Sequence, residues 1–315
     1  TPLYSSAASD VYKRQPKYRT IGLEECLLAA KNSDHWKSKI NANINGKKKR
    51  GRGIASGYWF NIGEKSSVNL SLNTDGIVAL TEGSTDIGGS RASIAMQAAE
   101  VLGVPAEDIR PSVVDTDSIG HTDVTGGSRT TYATGYAAYK AAYNLIEEII
   151  TKTSLIWDIN KDEIEYSDGV VKSKTDSALK MNLKEFADSN PFGPAVSTAS
   201  VDLEEAGGGF AVHIVDLEID EETGKTDVVE YTTIQDVGKA IHPSYVEGQM
   251  QGGAAQGIGW ALNEEYFMSQ DGIMLNSSYL DYRMPISLDL PMINTIMVEV
   301  PSEEHPFGVR GVGEP

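Results

Sequence analysis

A carboxylate framed by glycines is the feature of this chain best suited to chemistry. In Gly308-Val309-Arg310-Gly311-Val312-Gly313-Glu314-Pro315 the sole acid is Glu314. Glycines let a backbone approach a ligand closely or take positive φ, and proline stiffens the backbone at its own position. The run presents Glu314 on a shaped loop, where burial would make a carboxylate an effective general base. Taken alone, the same residues fit a surface turn at least as well. The sequence ends at Pro315, inside the loop so defined.

Two further glycine turns could bind an anion. Thr85-Asp86-Ile87-Gly88-Gly89-Ser90 leads into Ile94-Ala95-Met96-Gln97-Ala98-Ala99, and Thr125-Gly126-Gly127-Ser128-Arg129-Thr130-Thr131 leads into Gly135-Tyr136-Ala137. Each opens a predicted helix, and the free N–H groups of a helix start attract anions. Ser128, Thr130 and Thr131 add hydroxyls, although ordinary N-capping explains the same residues. A third segment, Gly248-Gln249-Met250-Gln251-Gly252-Gly253-Ala254-Ala255-Gln256-Gly257-Ile258-Gly259, precedes Leu262-Asn263-Glu264-Glu265. It sits in a helix predicted over 245–266 that carries five glycines. Each costs roughly 1 kcal/mol in a helix interior, so close approach of another backbone or of a bulky cofactor is expected to compensate.

The elements that must position these residues can be read from periodicity. Residues 67–72 and 76–82 alternate around Asn73-Thr74-Asp75-Gly76, a hairpin signature, and residues 212–219 and 226–235 form a second hairpin around Asp220-Glu221-Glu222-Thr223-Gly224-Lys225. Helices are predicted over 21–33, with Leu23, Cys26, Leu27 and Ala30 inward, over 90–102, with Ile94, Ala98, Val101 and Leu102 inward, and over 130–158. The first strand is expected to begin at Gly51-Arg52-Gly53-Ile54-Ala55 and a short one to cover 112–115. Strands come in pairs with helices between and no βαβ rhythm, which predicts an α+β fold of mixed or antiparallel sheets. Residues 158–200 are polar and suggest a small inserted lobe.

Together, the three glycine-rich segments and the terminal Gly-Val-Gly-Glu resemble, in order and spacing, the C-terminal molybdopterin-binding region of the xanthine dehydrogenase/aldehyde oxidase family of molybdenum hydroxylases. The resemblance runs from about Arg50 to Pro315. It implies a domain over 16–315 that binds molybdopterin, with cytosine dinucleotide as one form of the cofactor. By residue, it implies cofactor contacts from Gly88, Gly89, Ser90, Gly127, Ser128, Arg129, Thr130, Thr131, Gln249 and Gln256, no metal ligand from the protein, and Glu314 as catalytic base. The implied reaction is hydroxylation of an aldehyde or N-heterocycle with water as oxygen source. Electrons would leave through iron–sulfur clusters and FAD on other domains or subunits, which makes a hetero-oligomer the expected assembly. One departure stands out. The family's first turn usually reads Gly-Gln-Gly, with the glutamine near the molybdenum centre, and here it reads Gly88-Gly89-Ser90. A relative with altered cofactor chemistry and a non-catalytic acidic module on the same scaffold are the competing readings.

Composition narrows the rest. The chain has 315 residues and a formal net charge of -18, which argues against nucleic acid or an anionic membrane as a general partner. Its single cysteine, Cys26, excludes an intrachain disulfide or a cysteine-ligated cluster. The five histidines show no close ligand spacing. No apolar run is long enough for a transmembrane helix, and a cytoplasmic location is expected, with a periplasmic one left open. Lys47-Lys48-Lys49-Arg50 reads as a solvated basic turn. Thr1 to Gln15 lacks a signal-peptide pattern, looks like translated adaptor sequence, and is set outside the fold.

Overall fold

The computed structural model describes residues 20–42, 46–205 and 207–315. The adaptor-like stretch 1–15 lies outside the described residues. Helices α1 (Leu23–Asn32) and α2 (Asp34–Lys37) lead into strands β1 (Lys48–Trp59), β2 (Ile62–Leu72) and β3 (Val78–Glu82). Helix α3 (Ser90–Leu102), strand β4 (Ile109–Val113) and helix α4 (Gly135–Trp157) come next, the last preceded by a π-turn over Thr130–Thr134. A small sheet of β5 (Ile164–Ser167), β6 (Val170–Ser173) and β7 (Lys180–Asn182) precedes α5 (Leu183–Ser189). The chain then runs through β8 (Val196–Glu205), β9 (Gly209–Asp220), β10 (Thr226–Asp236), α6 (Pro243–Leu262) and β11 (Ile293–Val298).

Both hairpins expected from alternation form, and each seeds a four-stranded sheet. One sheet has the order β1-β9-β10-β11 and the other β4-β3-β2-β8. The fold is α+β with mixed sheets, as expected. The expectation of no βαβ unit fails twice: β3 pairs with β4 and β10 with β11 in parallel, across α3 and α6 respectively. Both partner strands are short, and β4, which carries Pro111, begins three residues before the predicted 112–115.

Side-chain alternation explains the layers. Val68, Leu70, Leu72, Val78 and Leu80 of the second sheet pack on Ile94, Ala98 and Leu102 of α3 and on Ala137, Ala138, Ala141, Leu145 and Ile149 of α4. Ile164, Val171, Leu183 and Phe186, from residues 158–200, are buried in the same cluster. In the first sheet, Val212, Ile214 and Ile234 pack on Cys26 and Ala30 of α1. Leu27, predicted inward, is exposed, because one narrow stripe of this short helix meets the sheet. Val228 and Ile293 on the opposite face meet Ala254 and Ile258 of α6. The first sheet is thus covered on both faces. Its α6 face carries His213, Tyr231 and Gln235 toward the chain terminus, where Tyr231 Oη lies 3.1 Å from His213 Nδ1.

Candidate cofactor cleft

The four segments singled out in the sequence meet at one cleft of about 400 Å³. Gly88 and Ser90 line it from the start of α3, Ser128, Arg129, Thr130 and Thr131 from the turn before α4, Gln249 and Gln256 from α6, and Glu314 from the terminal loop. Gly89 and Gly127 are not among the lining residues. They act behind the wall: both have positive φ, a Cβ on Gly89 would fall against the Tyr245 ring, and one on Gly127 would run into Ile62.

The terminal loop is fixed by long-range contacts. The buried Arg310 guanidinium donates to the carbonyls of Val300 (3.0 Å), Gly208 (3.2 Å) and Thr20 (2.9 Å) and pairs with buried Asp236 at 3.3 Å. Burial pushes the Asp236 carboxyl above the usual carboxylate range, against the pull of the Gly238 N–H and of Arg310. Further along, Gly313 N–H donates to Gln235 Oε1 at 3.1 Å, and His213 Nε2 lies 3.2 Å from the Pro315 carbonyl. The loop's entry turns on His305, whose Nε2–H donates to the Tyr132 carbonyl while its Nδ1 accepts from Phe307 N–H.

Those two bonds require neutral His305, and burial lowers its pKa from 6.5 to about 4. Between these values the unfolded chain binds the extra proton, so stability is complete above pH 6.5 and falls as pH drops toward about 4. The expected loss is about 3 kcal/mol across that window. Denaturant titrations at about pH 7 and pH 4.5 should show a smaller acid loss in His305→Gln, which can keep both hydrogen bonds without titrating. Equal losses in the two proteins would refute this account.

The second turn is locked from behind. Arg129 is buried, and its guanidinium donates to Gly63 O (2.7 Å), Lys65 O (2.5 Å), Asp123 O (3.2 Å), Val124 O (3.4 Å) and Ser66 Oγ (2.8 Å). Arg129 thus reaches the cleft without offering its charge to it. Ser66 Oγ lies 2.9 Å from Thr134 Oγ1, which lies 2.8 Å from Ser84 Oγ. This hydroxyl chain ties the second turn to the first. Gln97 Nε2 donates to the Thr131 carbonyl at 2.9 Å, and a Cβ on Gly135 would meet the Gln97 amide. The π-turn at Thr130–Thr134 completes the turn, with Gly135 N–H bonded to Thr130 O. Such turns are frequent at functional sites.

Three sequence expectations need correction here. Glu314, expected on a buried loop, is exposed at the edge of the cleft. The glycine helix ends at Leu262 rather than Tyr266, where Gly259 O accepts both Asn263 N–H and Glu264 N–H. Its glycines are not all compensated: Gly253 meets the Gly313 carbonyl and Gly259 meets Pro285, but Gly248, Gly252 and Gly257 have no neighbour for a Cβ and are exposed. The His35, Asp216 and Glu230 ligand atoms come within 4.8 Å of one another, although their spacing in the chain gave no hint of it. Arg52 forks onto both Asp216 oxygens at 2.7 and 2.8 Å, so this is an ion-pair cluster rather than a ligand set.

With this geometry in hand, comparison with known proteins is decisive. The family model described as the molybdopterin cofactor-binding domain matches residues 27–291. The chain belongs to this family. A xanthine dehydrogenase molybdenum-binding subunit of Escherichia coli O157:H7 is 30% identical over 313 residues, covering 94% of this chain and 42% of that subunit. The gamma subunit of the 6-hydroxypseudooxynicotine dehydrogenase complex of Paenarthrobacter nicotinovorans is 30% identical over 262 residues, covering 78% of this chain and 32% of its own length. Quinoline 2-oxidoreductase from Pseudomonas putida 86 superposes with a TM-score of 0.73 at 26% identity, covering 85% of this chain and 37% of that one. The chain therefore spans about two-fifths or less of the relatives it matches.

The cofactor class is molybdopterin, and the cleft of this family member suits it. The turn before α4 opens a helix at the space, hydroxyls and amides line it, and Ser90 Oγ is buried without a partner among the described residues. At the start of α3, by contrast, the Ser90, Arg91, Ala92 and Ser93 N–H groups are taken by Ile87 O, Asp86 Oδ1 and Gly89 O. The cationic side chains at its wall are engaged elsewhere, Lys239 with Glu299 at 2.8 Å and Arg310 with Asp236. What the wall leaves available to a bound group is neutral donors and the helix start at Thr130. The Gly-Gly-Ser departure has a structural counterpart: Gly89 adopts φ 78° at the N-cap of α3, and the Tyr245 ring fills the room a side chain there would need. Tyr245, stacked on His242 at 3.7 Å, was not among the residues picked from sequence. Nor were Gln235 and Asp236, whose one signal was polarity at core-facing strand positions.

Proposed function

We propose that this chain is the C-terminal part of the molybdenum-cofactor-binding catalytic subunit of an oxidoreductase that hydroxylates an aldehyde or N-heterocycle with water. The observation that carries the reading is convergence: two helix starts, the amide-bearing helix α6 and a glycine-framed carboxylate surround one cleft. Gly88, Ser90, Thr130, Thr131, Gln249 and Gln256 would hold the cofactor, as molybdopterin or its cytosine dinucleotide. Gly89, Gly127 and Arg129 would shape the turns that do so. The bound cofactor supplies Lewis acidity and the two-electron redox change. Glu314, at the edge of the cleft, would accept the proton released as the oxygen is transferred.

The electrons must leave for centres elsewhere, since Cys26 is the sole cysteine and is buried. Iron–sulfur and flavin domains or subunits are the proposed recipients. Exposed Tyr279, Leu280, Leu288 and Met292 fit a face covered in the whole protein. No described helix is long and apolar enough to cross a membrane. A scaffold without catalysis would have no need of a carboxylate hydrogen-bonded at the cleft edge, as Glu314 is to Ser128. The test is isotopic. The full-length parent, purified with its partner subunits and turned over in ¹⁸O-water on a panel of aldehydes and N-heterocycles, is expected to place the label in the product. Label arriving from molecular oxygen instead would refute the reading.

A further inference from the structure

The residue after Gly126-Gly127 adopts a conformation that normally calls for a third glycine. Ser128 has φ 58°, in the left-handed region where a serine is uncommon and strained. Such strain persists where the surroundings over-determine it and the side chain has a task. Both conditions hold. On one side, the next residue, Arg129, is clamped by its guanidinium to backbone carbonyls. On the other, Gly311 packs directly on Ser128, where a Cβ would overlap the Ser128 carbonyl and lie 2.6 Å from Asn61 Oδ1. The hydroxyl so placed turns to the terminal loop: Ser128 Oγ donates to Glu314 Oε2 at 2.5 Å, with the Val312 carbonyl a second acceptor at 3.3 Å.

We propose that Ser128 is a positioning residue for the Glu314 carboxylate rather than a cofactor contact, holding one of its oxygens so that the other is aimed into the cleft. A serine hydroxyl has one proton to donate, and here both acceptors within reach belong to the terminal loop. The inference rests on Glu314 being the base proposed above. It accounts for the retention of a strained serine where glycine would be easier, and it assigns cofactor holding in this turn to Thr130, Thr131 and the helix start.

The geometry gives a clean variant. Ser128→Gly removes the hydroxyl and relieves the backbone, so the fold is not put at risk. Ser128→Asn tolerates the left-handed conformation and restores an N–H donor. In the full-length parent with all its centres, Ser128→Gly is expected to lower kcat about tenfold to a hundredfold, the range for a lost hydrogen bond to a charged group. KM should change less than about twofold, with molybdenum and pterin per protein at the wild-type level. Ser128→Asn should recover part of the loss. An unchanged kcat in Ser128→Gly would overturn the proposal, and so would a fall in pterin content matching the fall in rate, which would make Ser128 a cofactor contact. Glu314→Gln belongs in the same series. If it keeps wild-type turnover, the base reading itself fails. If it is inactive while Ser128→Gly is not, only the positioning role fails.

Discussion

Glu314→Gln in the full-length parent is expected to cut turnover by about 10²–10⁴, the usual contribution of a general base, and to leave molybdenum and pterin content near normal. The two halves of that result have separate origins. In the proposed site, cofactor holding would be spread over Ser90 at the start of α3, the π-turn before α4 and the amides of α6, none of which depends on charge at position 314. The amide also preserves the loop: it can still accept from Ser128 Oγ, while Gly313 N–H remains on Gln235 and Arg310 on Asp236. What it cannot do is take a proton at the cleft edge. Steady-state assays with metal and pterin analysis on both proteins decide the matter. Retention of more than about a tenth of wild-type turnover, with the cofactor present, would remove Glu314 from the base role and leave the loop as a structural turn.

That loop was readable in the sequence, but its anchors were not. Glycines and a lone acid are local signals, as are the two hairpins and the alanine-rich α4, whose small side chains let the helix lie close to the second sheet. A short strand near β4 was legible, but β11 and the parallel pairing of both strands were hidden for the opposite reason. They are short, and β11 lies some thirty residues beyond α6, so nothing local identifies the strand each one joins. Gln235 reaches Gly313 and Asp236 reaches Arg310 across more than seventy residues of chain, and only their polarity on alternating strand positions marked them. Leu27 and the glycines of α6 fail in another way. Periodicity and propensity say which face could be buried, whereas the partners actually present decide which is. Gly248, Gly252 and Gly257 face open space here, Gly252 at the cleft itself, and in a chain spanning about two-fifths or less of its relatives the proposed cover for Gly248 and Gly257 is the remainder of the subunit.

Arg129→Met should be the most destabilising single change at the site, by about 3–5 kcal/mol, the cost of removing one partner from a buried charged network. Methionine fills much of the volume, so the loss isolates hydrogen bonding from packing. The arginine is buried enough that desolvation lowers its pKa, against the pull of Glu64, yet its planar fork meets five acceptors from separate stretches of the chain. Without it the carbonyls of Gly63, Lys65, Asp123 and Val124 lose a donor that water can reach only by opening the turn. Arg129→Lys should rescue little, because one ammonium cannot span acceptors arranged around a fork. The consequence for function comes from the strain next door. With Arg129 gone, nothing on that side holds Ser128 at positive φ, so the variant is expected to lose both the Glu314 hydrogen bond and the alignment of Thr130 and Thr131 with the cleft. Denaturant unfolding of the three proteins, alongside pterin content of the parent enzyme, tests both consequences. A loss below about 1 kcal/mol, the size of an ordinary surface or average substitution, would show that the guanidinium is not what holds the turn.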